Sequence, residues 1–252
     1  MSDPMFDLSG SVALVTGGSR GLGRVMAETF AAHGADLVLA GRKPDACERA
    51  AAEIAAGHGV RAVGVPCHVG DWADCDHLVE RAYAEFGRID VLVNNAGMSP
   101  LYDSPEDVSE ALYDKVLAVN LKGPFRLTAV IGARMAAHGG GSIINISSIA
   151  ATRPTAHELP YAAAKAGLNS LTVGFAHTFG HTVRVNAIQA GPFLTDISRA
   201  WDLDAFAAQA AETIALGRAG EPDEIAGAAL YLASRASSYC TGAVLRLDGG
   251  SR

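Results

Sequence analysis

Short apolar runs rich in β-branched residues alternate with longer stretches of helical period along the whole chain, and that alternation narrows its fold more than any other feature. "VALVTG" (12–17), "ADLVLAG" (35–41), "VRAVGVPC" (60–67), "IDVLVNNAG" (89–97), "GSIINIS" (141–147), "TVRVNAI" (182–188) and "GAVLRLDGG" (242–250) read as seven strands. Helical patterns lie between them at 22–34, 44–57, 72–87, about 106–137, around Tyr161 and at 222–234, with a candidate break at Gly123–Pro124. Alternation without a linker or repeat implies a parallel sheet with helices on both faces, joined by right-handed crossovers. The expectation is α/β: one doubly wound domain over 1–252. In such sheets ligands bind beyond the carboxyl ends of the strands. The residues after Val15, Ala40, Val93, Ile146 and Ile188 should therefore surround one crevice. The long stretch of weak regularity at 189–221 reads as a substrate-binding loop or lid.

Charge narrows the partners. The 252 residues carry a formal charge of −7 with no basic stripe, which argues against nucleic acid and anionic membrane surfaces. No run approaches eighteen apolar residues, so no membrane span is expected. The start, MSDPMFDLSG, lacks a basic n-region and a long apolar core, and the four cysteines form no CxxC pair or zinc-like spacing. Cytoplasmic localisation with reduced thiols is the reading, with small molecules as partners.

After the first strand comes "TGGSRGLG" (16–23). Gly17 permits a tight turn, while Gly21 and Gly23 let backbone amides and a helix start approach a pyrophosphate. The spacing is GxxxGxG rather than GxGxxG, and alone it is weak. Its place between a strand and a helix favours binding.

Further on come "NNAG" (94–97), Asn120, "ISS" ending at Ser148, and "YAAAK" (161–165). In order and spacing, from the first strand to "LDGG" (247–250), these resemble the short-chain dehydrogenase/reductase family, including its 3-oxoacyl-carrier-protein reductase and gluconate dehydrogenase members. The resemblance implies a Rossmann-like seven-stranded sheet and hydride transfer between a nicotinamide cofactor and an alcohol or carbonyl. It also implies a homotetramer built on the long helix and the helix of Tyr161. Asn120, Ser148, Tyr161 and Lys165 become the catalytic candidates. Gly17, Ser19, Arg20, Gly21, Leu22, Gly23, Asn95, Ala96 and Gly97 become cofactor-binding candidates, together with Tyr161 and Lys165.

Tyr161 and Lys165 stand four apart, which places their Cβ atoms about 5–6 Å apart on one helix face. Lowering a phenol from about 10 to about 7 requires roughly 4 kcal/mol of preference for the phenolate. An ammonium at 4 Å supplies about that much at an effective dielectric of 20. Lys165 is therefore expected to tune Tyr161 as general acid and base, with an oxidised nicotinamide ring supplying any remainder. By resemblance, Lys165 also holds the nicotinamide ribose, Ser148 bonds the substrate oxygen, and Asn120 anchors a water.

Gly41 ends the second strand where NAD-preferring relatives place a carboxylate, and Arg42 follows it. With Arg20, this favours NADP(H) over NAD(H), because guanidinium groups grip a 2′-phosphate. His68 stands where many members have an aspartate against adenine, with Val69 presenting backbone. "QAGPFLT" (189–195) replaces the family's common proline with Ala190 but keeps Gly191 and Thr195, the latter for the carboxamide. His177 and His181 share i, i+4 spacing without a third ligand, and no metal is assigned. Substrate contacts are expected from 98–102, from 149–160 with His157 and Leu159, and from 192–216. Three readings stay open: an enzyme on a free carbonyl or secondary alcohol, a 3-oxoacyl-[acyl carrier protein] reductase, and a non-catalytic NADP-binding module.

Overall fold

The computed structural model describes residues 3–196, 198 and 202–252. Seven strands form one parallel sheet: β1 (Val12–Thr16), β2 (Asp36–Gly41), β3 (Ala62–Pro66), β4 (Val91–Asn94), β5 (Gly141–Ser148), β6 (Val183–Ala190) and β7 (Val244–Leu247). Their spatial order is β3-β2-β1-β4-β5-β6-β7, so the order reverses between β1 and β4, where a crevice opens. All seven expected strands are present. Every residue of β1 is buried, as a strand covered on both faces requires. That is why these runs are apolar throughout rather than alternating.

Helices cover both faces. The core on one face gathers Met26 and Phe30 of α1 (Gly21–Ala32), Ile54 of α2 (Pro44–His58) and Leu232 of α8 (Ala226–Ala233). The other gathers Leu78 of α3 (Trp72–Phe86) and Leu127, Ile131 and Met135 of α5 (Gly123–Ala137). α4 (Glu110–Leu117), α6 (Leu159–Phe179) and α7 (Leu203–Thr213) complete the set. By length and composition the helical run Glu110–Ala137 could cross a bilayer, yet half of that window is buried inside the fold.

Two boundaries differ from expectation. The long helix starts at Glu110, and its irregular turn is a π segment at Ala118–Lys122, just before Gly123–Pro124. Pro124 has no amide to offer the Asn120 carbonyl, and its ring crowds that group. A wider turn upstream absorbs the conflict, and it places Asn120 at the bulge. Within 189–221, α7 supplies regular structure that the sequence pattern missed, and residues 197 and 199–201 of that stretch lie outside the described residues.

Buried amides lock the centre of the sheet to its helices. Asn94 Nδ2 donates to Thr128 Oγ1 at 3.0 Å and to Asn145 Oδ1 at 2.9 Å. Asn145 Nδ2 donates to Thr172 Oγ1 at 2.9 Å. β4, β5, α5 and α6 are thereby held in one register. Asn145→Ala strands two buried partners and should cost about 2–4 kcal/mol in urea unfolding; a loss below about 0.5 kcal/mol would show that the network is dispensable.

Candidate active site

The strand ends set the site. Thr16 pairs with Ala40, Val15 with Val93, Asn94 with Asn145 and Ser148 with Ala190, so the carboxyl termini form a common rim. Gly17 holds a φ of +66°, a region side chains resist. Gly23 is required by space: a Cβ there would stand 2.3 Å from the Gly17 carbonyl oxygen and 2.5 Å from Asn95 Nδ2. The Thr16 hydroxyl staples this turn to β4, accepting from the amides of Asn95 and Ala96 at 3.0 Å and donating to the Val93 carbonyl at 3.2 Å. Asn95 Nδ2 donates back to the Thr16 carbonyl at 2.9 Å.

α1 starts with no side-chain cap and no acidic residue in its first turn. Its first amides and the positive end of its dipole are left for an anion. A turn that any Cβ would fill, leading into an uncapped helix, fits a dinucleotide pyrophosphate.

A second cluster lies beyond β4 and β5. Asn120 is fully buried. Its Nδ2 donates to the carbonyls of Met98 at 2.8 Å and Val116 at 2.9 Å, while Oδ1 accepts from the Met98 amide at 3.2 Å. A Cβ on Gly97 would come 2.9 Å from Asn120 Oδ1 and 3.7 Å from Lys165 Nζ. Lys165 is only 4% exposed, and its Nζ donates to the Ile146 carbonyl at 2.8 Å. No ion pair offsets this burial among the described residues, and desolvation pushes its pKa down to about 8.

Tyr161 is partly buried, lies close enough to Ser148 for that hydroxyl to pull its pKa down, and has Lys165 Nζ 5.6 Å from its ring centroid. Ser148 Oγ also accepts from the Ala150 amide at 3.2 Å. The four catalytic candidates thus converge. The expected tuning does not appear in the unliganded chain: burial raises the Tyr161 pKa, the Ser148 hydroxyl opposes this, and Glu158 adds to the rise. Lys165 directs its proton to a backbone carbonyl and is itself discharged near pH 8, which explains its weak pull on the phenol.

The remaining candidates divide. Ser19 lies near Cys47, and a Cβ on Gly41 would stand 3.0 Å from Cys47 Sγ and 4.0 Å from Ser19 Oγ. Arg42 and His68 line one cavity of about 670 Å³ with Cys67, His77 and Arg81. Arg20 instead faces Asp196 at 3.9 Å, so no contact unites the two expected phosphate cations. Val69 is buried, and its carbonyl would meet a Cβ on Gly123 at 2.0 Å. Leu22 packs against the α1-side core. Thr195 is the nearest neighbour of Gly21, at 3.9 Å from a Cβ there. Gly191 is crowded by Asp248 Cα, 2.6 Å from where its Cβ would lie, so the turn that follows β7 explains its size. Sequence reasoning missed Thr16 as the staple and the Ile146 carbonyl as the lysine's acceptor. A hydroxyl residue closing an otherwise apolar buried strand was the available signal for Thr16.

Sheet order and glycine turn define a Rossmann-type fold with a turn that fits a dinucleotide. A family model described as enoyl-(acyl carrier protein) reductase matches residues 17–252. Dehydrogenase/reductase SDR family member 4 of Bos taurus is 38% identical over 97% of this chain and 88% of its own length. D-threitol dehydrogenase of Mycolicibacterium smegmatis is also 38% identical, over 97% of this chain and 94% of its own. The NADPH-dependent 3-quinuclidinone reductase of Rhodotorula rubra superposes with a TM-score of 0.92 at 32% identity, covering 98% and 93% of the two chains. The chain belongs to the short-chain dehydrogenase/reductase family, whose members act on alcohol and carbonyl substrates.

Lys165 carries a stability cost whose sign can be worked out. Its folded pKa of about 8 lies below the ordinary 10.5, so between those values the unfolded chain binds the extra proton. Stability from this group therefore rises with pH across that window, and the full penalty applies below it. Lys165→Met should stabilise the unliganded chain by on the order of 2–3 kcal/mol at pH 7, shrinking toward pH 10.5. Urea unfolding at both pH values checks this, and a destabilised variant at pH 7 would contradict it.

Proposed function

We propose that this chain transfers hydride between NADP(H) and a small carbonyl or secondary alcohol, with Tyr161 as general acid and base. The observation that carries this reading is the buried ammonium of Lys165 over the Tyr161 ring and beside Gly97. NADP(H), when bound, supplies or accepts the hydride. The first amides of α1 and the turn at Gly17, Gly21 and Gly23 would hold its pyrophosphate, and Lys165 its nicotinamide ribose. Thr195 would hold the carboxamide, and His68 and Val69 would border the adenine.

The hydroxyls of Ser148 and Tyr161 hold the substrate oxygen, and Tyr161 gives its proton as charge builds there. A phenol raised by burial is protonated at neutral pH, which suits it to the donor role in reduction. Base work in the oxidising direction needs further positive charge in the site. Gly41 and Arg42 support NADP(H) over NAD(H): no carboxylate stands at the end of β2, and Arg42 is exposed and without an ion pair among the described residues.

Residues 189–221, with α7, act as the substrate lid in this reading. Assembly as a homotetramer through α5 and α6 is supported by Phe125 and Val173, which are 39% and 42% exposed on those helices. A panel of ketones and polyols assayed with NADPH and NADH tests the whole. Tyr161→Phe should lower kcat by at least about 10²-fold while leaving dinucleotide binding intact. Arg42→Ala should raise KM for NADPH about tenfold and leave NADH little changed. A fully active Tyr161→Phe variant would refute the mechanism, and a strong wild-type preference for NADH would refute the cofactor assignment.

A further inference from the structure

The loop after β4 is tied at both ends. At its start, Met98 shares two hydrogen bonds with Asn120. At its far end, the phenol oxygen of Tyr102 accepts from the Leu159 amide at 2.7 Å. The Tyr102 carbonyl lies 3.0 Å from His157 Nδ1, which must carry the proton to make that bond. The loop is a strap running from Asn120 to the start of α6.

The start of α6 needs such a tie. Leu159 is its first residue, the preceding Glu158 makes no side-chain cap bond, and Pro160 has no amide. Tyr102 gives the Leu159 amide a fixed acceptor in place of solvent, from 57 residues away in the chain. Two residues beyond Leu159 stands Tyr161. The first turn of α6 thus takes a long-range tie from Tyr102 in addition to its local bonds, in which the Glu158 carbonyl accepts from the Ala162 amide at 2.9 Å and Thr155 Oγ1 donates to Glu158 Oε1 at 3.2 Å.

We propose that Tyr102 is a positioning residue: by capping α6 across the cleft it sets the placement of Tyr161 relative to Asn120 and the substrate. His157 supports it by holding the Tyr102 backbone. This rests on the function proposed above. The phenol itself takes no part in proton transfer; its hydroxyl oxygen is an acceptor for the helix.

The test uses the full chain, NADPH, and whichever carbonyl of the panel the wild type reduces. Tyr102→Phe should lower kcat roughly tenfold, with the dissociation constant for NADPH and the melting temperature unchanged. His157→Ala should show a smaller loss in kcat, and His157→Asn should restore the rate, because an asparagine Nδ2 can donate where the imidazole Nδ1 did. A readout independent of turnover is amide hydrogen exchange in the first turn of α6, which should speed up at Leu159 in Tyr102→Phe by at least about tenfold. Unchanged kcat in Tyr102→Phe with an active wild type would overturn this proposal alone. So would unchanged exchange at Leu159, or a rate loss matched by lost NADPH binding. A fully active Tyr161→Phe would overturn the reading of the site, and this proposal with it.

Discussion

One buried ammonium, without a counter-ion among the described residues, organises the site. Lys165 is only 4% exposed, and among the described residues its Nζ makes one hydrogen bond, to the Ile146 carbonyl. Burying a charge without a partner is costly, and the fold concedes it by letting the group discharge near pH 8. Small neighbours make the position possible: Ala162 and Ala164 are buried beside it, and Gly97 has no side chain to fill the space above Nζ. A conventional core would place an apolar residue here. That it does not is the physical ground for assigning this helix to chemistry.

The surrounding structure serves to bring that charge to the strand ends. Parallel pairing sets Thr16 and Asn94 level with Asn145, and β5 runs three residues further to bring Ser148 to the carboxyl end. Thr16 and Asn95 clamp the glycine turn to β4, and the π turn forced by Pro124 delivers Asn120 to Met98 and Gly97. The buried Asn94–Asn145–Thr172 chain then fixes α6 against the sheet. These ties are polar, those of Thr16, Asn95 and Asn120 at the carboxyl edge and that of Asn145 in the middle of β5, whereas the two cores beside them are apolar.

Much of this was legible in the chain itself. Seven apolar runs gave seven strands because a doubly covered sheet tolerates little else, and glycines and alanines marked where backbones approach closely. What escaped was whatever depends on contacts distant in sequence. The π turn lay upstream of Pro124 because proline acts on the residue four before it. α7 was hidden in a segment of weak period. The pairing of Arg20 with Asp196 and the crowding of Gly191 by Asp248 join segments that no local pattern connects. The electrostatics were the largest gap: spacing shows that Tyr161 and Lys165 share a face, but only burial reveals that both charged forms are disfavoured in the free chain.

The most direct measurement is an NMR titration of the Lys165 side chain in the unliganded protein, followed through its Cε and assigned by loss of the signal in Lys165→Met. A midpoint near 8 is the predicted result. A midpoint at the ordinary 10.5 would mean that the ammonium is solvated or paired, and the account of the site built on its burial would be wrong.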